Sequence, residues 1–193
     1  MQPKDIDIFF EHVDQRVEQP LDVRLLGGAA GLIYGNARPT EDIDFEIGSS
    51  ENDDRLVAAF KYAEEKTRIR AEYSKDVDHW SMISFGDYRE HMRPYKKIGK
   101  VSIVLLAPEH WSIGKVARFY DTDVGDMIAV FKAQKTDLAA LLQVWKGAMS
   151  KSPLSSSLFQ FKQQVCRFVE LHGPAIWQAQ SDTEQLLDKF QKR

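Results

Sequence analysis

The chain has 193 residues, 43% of them hydrophobic and 28% charged, with a formal net charge of −3. That is enough for one domain with its own core, or one domain with a helical appendage, and the near-neutral balance excludes a global bias toward nucleic acid or membrane. The lone Cys166 excludes an intrachain disulfide framework. Charges in Met1–Asp7 and the lack of a membrane-length apolar run exclude a signal peptide or spanning helix, so a cytoplasmic protein is expected.

Ile6, Ile8, Phe9, Phe10 and Val13 give Asp5–Arg16 a helical period, and Pro20 precedes a first strand at Val23–Leu26. Small apolar residues suit Ala29–Tyr34 to a short helix, and Gly35–Pro39 reads as a loop. A second strand spans Asp42–Ile47, closed by Gly48–Ser50. A helix capped by Asp53 or Asp54 follows toward Ile69, then a strand at Trp80–Phe85 and a polar helical segment at Asp87–Arg93. Lys100–Leu106 is a strongly apolar strand. Pro108 opens a helix through Phe119, Asp121–Asp123 interrupts it, and a further helix begins at Asp126. Helical periodicity continues through Leu138–Trp145. Ser- and Pro-containing residues 150–157 are the best linker candidate, and two helices, Phe159–Leu171 and Ala175–Phe190, are split by Gly173–Pro174. The fold expectation is α+β: an α/β core over 1–106 carrying a mixed sheet, then a helical region over 107–193.

One stretch carries most of the chemistry. Gly27–Gly28 follows the first strand, and Asp42-Ile43-Asp44 lies on the second. On a strand Asp42 and Asp44 project to one side, roughly 6–7 Å apart, with Ile43, Phe45 and Ile47 on the other. Two carboxylates so placed suit Mg²⁺, commonly held by one or two carboxylates together with substrate phosphates. Glycines upstream let backbone N–H groups approach those phosphates. The plainer alternative is a turn followed by a solvated strand face.

The segment resembles the nucleotidyltransferase superfamily, in which a Gly-Gly or Gly-Ser pair ends a strand and Asp-x-Asp lies on the next. Arg38 and Thr40 fit the Arg-x-Thr-x-Asp-hydrophobic-Asp variant found in small bacterial nucleotidyltransferase-like proteins, some of them toxins of toxin–antitoxin or abortive-infection systems. The resemblance implies Asp42 and Asp44 as metal ligands, and Gly27, Gly28, Arg38 and Thr40 as nucleotide-binding residues. It implies Mg²⁺ as cofactor and an NTP as substrate. Its downstream motif matches Lys115 and Asp126, implying triphosphate contact by Lys115 and a positioning or catalytic role for Asp126. Lys115 and Arg118 share a helix face, and the alternative for Asp123 and Asp126 is a helix cap.

Many members place a third acid on a later strand. Lys100–Leu106 has none, Ser102 standing where one is wanted, while Glu46 and Asp87 qualify by position only. The Asp pair then reads as half a site, completed by Lys115 and Asp126. The function implied is transfer of a nucleoside monophosphate to a hydroxyl of RNA, protein or a small molecule. The rival is a catalytically degenerate nucleotide-binding or interaction protein of the same fold, such as a toxin–antitoxin component with a cognate antitoxin. Arg89, Arg93, Lys96, Lys97 and Lys100, interleaved with Tyr88 and Tyr95, form a basic run suited to RNA or to plain solvation. Trp111, Trp145 and Trp177 read as core, Cys166 as a buried thiol, and the five histidines show no zinc-ligand spacing.

Overall fold

Ile43, Phe45 and Ile47 are buried and alternate with Asp42 and Asp44, so β2 (Asp42–Ser49) has one core face and one face bearing acids. The computed structural model describes residues 1–36, 38–49, 53–177 and 183–191. Around β2 runs a five-stranded mixed sheet with β1 (Leu21–Leu25), β3 (Arg70–Ser74), β4 (Met92–Ile98) and β5 (Val101–Leu106), in the order β3-β2-β1-β5-β4. β1 is antiparallel to β2 and parallel to β5. β2 and β3 are parallel, while β4 and β5 form an antiparallel hairpin.

Helices α1 (Pro3–Asp14) and α3 (Asp53–Thr67) pack together over the core face, and α2 (Gly27–Ile33) follows β1 directly. Phe10 meets Phe45 edge-on at 5.5 Å, Phe45 meets Phe60 at 5.2 Å, and Tyr73 stacks on Phe45 at 5.7 Å. Such aromatic pairs add about 0.5–1.5 kcal/mol each beyond the area they bury. The chain divides into two units, Met1–Val77 with Arg89–Ala107, and Asp78–Tyr88 with Pro108–Arg193. The second unit is helical: α4 (Pro108–Arg118), α5 (Asp121–Gln134), α6 (Leu138–Lys151), α7 (Ser156–Trp177) and α8 (Thr183–Gln191). Trp145 and Trp177 are buried there, and each indole N–H is satisfied, by Ser112 Oγ at 2.9 Å and by the Thr136 carbonyl at 2.8 Å. Among the described residues no helix is long and apolar enough to cross a membrane.

Several sequence expectations need correction. Trp80–Phe85 is not a strand: Val77–Trp80 is a 3-10 turn, and the strand lies earlier, at Arg70–Ser74. Asp87–Arg93 holds only the 3-10 turn Tyr88–His91, and Met92 already begins β4. β4 is an edge strand, so Pro94 is tolerated at a register shift, and its lysines deter edge-to-edge pairing. β2 continues through Gly48 and Ser49 instead of closing there. α5 starts at Asp121 rather than Asp126, because Phe119 takes φ +56° and turns the chain within two residues. α6 runs to Lys151 and α7 starts at Ser156, leaving only four residues of the expected linker.

Gly173–Pro174 does not split the last helices, since α7 runs through both to Trp177. A proline inside a helix costs about 3 kcal/mol. Here it falls in the last turn, where Gly173 and Trp177 are buried and the Trp177 indole is hydrogen-bonded, so packing outweighs the lost backbone bond. Cys166 is half-buried, not fully buried, with Gln191 Nε2 at 3.4 Å from its sulfur.

Candidate functional site

Gly27 follows β1 with φ +48°, the left-handed region that suits glycine. The turn is also pressed against β2. A Cβ on Gly27 would fall on the Asp44 carboxylate, and one on Gly28 would lie 2.8 Å from Thr40 Cβ. Close approach of turn to acid strand is therefore what both glycines provide, with the Leu26 N–H donating to the Asp44 carbonyl at 2.9 Å. Gly27→Ala combines a backbone cost of about 1–2 kcal/mol with that collision. It is expected to lower stability by at least about 2 kcal/mol, read as a fall in the urea midpoint at unchanged slope; a midpoint within error of the parent would refute the close approach.

Asp42 and Asp44 share the outer face of β2, half-buried. Thr40 Oγ1 donates to Asp42 Oδ1 at 3.1 Å, fixing one carboxylate from the preceding loop. Arg38 is exposed in that loop, where its backbone N–H donates to Asn36 Oδ1 at 3.1 Å. The parallel partner β3 supplies what the sequence did not reveal. Glu72 is the register partner of Asp44, and Arg70 that of Asp42. A carboxylate oxygen from each of Asp42, Asp44 and Glu72 lies within 4.8 Å of the others. A third carboxylate therefore stands beside the Asp pair, on the strand next to β2.

At such separations each pair of carboxylates repels by about 1 kcal/mol in water and more where the dielectric is lower. Arg70, at 4.0 Å from Asp42 Oδ2 and 71% exposed, offsets this only in part. The donor set is all hard oxygen, which fits Mg²⁺ or Mn²⁺ and not a soft metal. Glu46, the next acid on this face, is fully buried and already engaged. It accepts from Arg24 at 3.1 Å, from the Val77 N–H at 2.9 Å and from Arg89 at 3.3 Å.

Lys115 and Asp126 belong to the second unit, where they are brought together. Lys115 Nζ donates to Asp123 Oδ1 at 2.8 Å and to Asp126 Oδ2 at 2.7 Å, and all three side chains are at most 4% exposed. Arg118 adds two bonds to Asp123, at 3.2 and 3.0 Å. Burial pushes the Asp123 carboxyl up, but the hydrogen bonds and charges of Arg118 and Lys115 outweigh it and hold the group below its ordinary value. Asp87 is also in the second unit, where it lies 3.2 Å from His110 Nε2; that hydrogen bond lowers its carboxyl.

No protein-family model, no curated protein and no solved structure matches this chain. The functional reading therefore stands on these residues and their geometry.

Proposed function

We propose that the protein is a Mg²⁺-dependent nucleotidyltransferase, moving a nucleoside monophosphate from an NTP to an acceptor hydroxyl. The observation that carries this reading is the carboxylate trio Asp42, Asp44 and Glu72 beside the Gly27–Gly28 turn. The three carboxylates would hold the metal, which when bound would neutralise triphosphate charge and polarise the reacting phosphoryl group. Backbone N–H groups of the turn would face the phosphates, and Thr40 would keep Asp42 in place through its hydroxyl. In the transfer the acceptor oxygen bonds to the α-phosphorus, the bond from that phosphorus to the bridging oxygen breaks, and pyrophosphate leaves. The hydroxyl proton passes to solvent. The protein's part is positioning and charge stabilisation, as is general for phosphoryl transfer.

One observation favours the rival reading, a nucleotide-binding or interaction protein that has lost catalysis. Lys115, the cation expected on the triphosphate, is already neutralised by two buried acids. Two measurements separate the readings. A saturating NTP with Mg²⁺ should raise the melting midpoint, the stabilisation reaching about 2.7 kcal/mol at a hundred times Kd. Labelled NTP should then transfer label to a component of total RNA or protein extract. Binding without transfer to any acceptor favours the rival, and no Mg²⁺-dependent shift with any NTP removes the transferase and leaves only an interaction protein.

A further inference from the structure

Three of the five cations in the basic run that the sequence offered for RNA are paired within the fold. Arg89 is bound to Glu46, Lys96 to Asp7 at 2.7 Å, and Lys100 lies 3.8 Å from Asp14. Exposed positive charge also sits at the turn from α3 into β3, where Lys66, Arg68 and Arg70 fall within five residues. All three are exposed. Among the described residues, no carboxylate lies within ion-pair distance of Lys66 or Arg68, and Arg70 stands 4.0 Å from Asp42, the outer limit of such a pair.

These cations line one open cleft of about 670 Å³, together with Ile8 and Thr40. Asp5 and Glu41 line it too, Asp5 accepting from the Gln2 N–H at 2.7 Å, so three side-chain cations and the Met1 ammonium face two carboxylates. The cleft reaches the proposed metal site through two residues. Thr40 bonds Asp42, and Arg70 stands beside Asp42 on the neighbouring strand. An acceptor lying here would bring an anionic chain past Lys66 and Arg68 and present a hydroxyl near the carboxylates.

We infer that this cleft binds the phosphate backbone of a single-stranded nucleic acid, so that the acceptor hydroxyl is carried by RNA. This rests on the nucleotidyltransferase reading for its reaction, but not for its binding. Met1, Ile8 and Ile69 give the cleft an apolar strip, and a backbone bearing one charge per nucleotide matches the exposed cations beside it.

The test is binding of a short fluorescein-labelled single-stranded RNA of mixed sequence, followed by anisotropy across a salt series. The variant is Lys66→Gln with Arg68→Gly. Arg68 has φ +61°, so glycine relieves the backbone there and weakened binding cannot be assigned to misfolding. The parent is expected to bind in a salt-dependent manner. The double variant should bind about tenfold or more weakly, with the slope of log K against log salt reduced by about 0.7 for each phosphate it no longer neutralises. The control Lys97→Gln, on the β4 edge, should bind like the parent. The inference is overturned if the parent does not bind RNA at low salt, if the double variant binds like the parent, or if Lys97→Gln weakens binding as much. The Mg²⁺–NTP thermal shift is measured on the same proteins. A parent that shows that shift but does not bind RNA sinks this inference alone, whereas a missing shift with RNA binding intact sinks the transferase reading.

Discussion

Glu72→Gln is expected to stabilise the metal-free protein and to blunt its response to metal. The three carboxylates repel one another, and Glu72 and Asp44 are direct neighbours on adjacent strands. Removing a like charge directly opposite on a sheet gains about 0.2–1 kcal/mol. The melting midpoint without divalent metal should therefore rise slightly. With Mn²⁺ or Mg²⁺ and NTP present, the parent should gain stability and the variant much less, because one ligand is gone. Asp44→Asn tests the same site in the reaction. It should leave label transfer at about one hundredth of the parent rate or below, the loss of a few kcal/mol of charge stabilisation. An ordinary solvated face predicts something different: Glu72→Gln would change the midpoint equally with and without metal, and that result would remove the trio as a site.

The glycine turn and the Asp-x-Asp strand were legible because each announces itself locally. Gly27 needs a positive φ and no Cβ, and β2 alternates apolar and acidic residues over a full strand length. Glu72 was not legible. Arg70–Ser74 has one aromatic and no β-branched residue, so neither propensity nor alternation marks it. It is a strand because Tyr73 packs between Phe45 and Phe60, with ring centroids 5.7 and 4.5 Å away, and because Glu64 Oε1 accepts the Ala71 N–H at 2.7 Å. Both causes lie outside the segment itself. Without β3, the natural strand for a third acid is β5, which pairs with β1 and not with the acid strand. The second motif reads two ways for a different reason. Lys115, Arg118, Asp123 and Asp126 stand at helical spacings that serve a phosphate site and a helix–helix lock equally well, and only burial tells them apart.

That burial gives the second large effect. Lys115→Met is expected to destabilise the protein by about 3–5 kcal/mol, the usual cost of removing one partner from a buried ion cluster. Lys115 and Arg118 on α4 balance Asp123 and Asp126 on α5, and α4 is joined to α5 by two residues only. Removing the ammonium leaves two buried carboxylates facing a single, half-exposed guanidinium. Restoring the balance with Lys115→Met and Asp126→Asn together should recover part of the loss, since the two changes act on one cluster and are not additive. The pH dependence follows from Asp123, whose folded pKa is lowered. Its contribution is present above the unfolded value of 3.8 and is lost as pH falls through the lower folded value. In the Lys115→Met variant that acid-induced loss should shrink, because the cation that favoured the ionised carboxylate is gone. Urea unfolding at neutral pH and below pH 4 measures both effects. If Lys115 served a triphosphate rather than the fold, the substitution would weaken NTP binding and leave the midpoint in place. An unchanged midpoint would therefore return Lys115 to the nucleotide site and with it the half-site reading of the Asp pair.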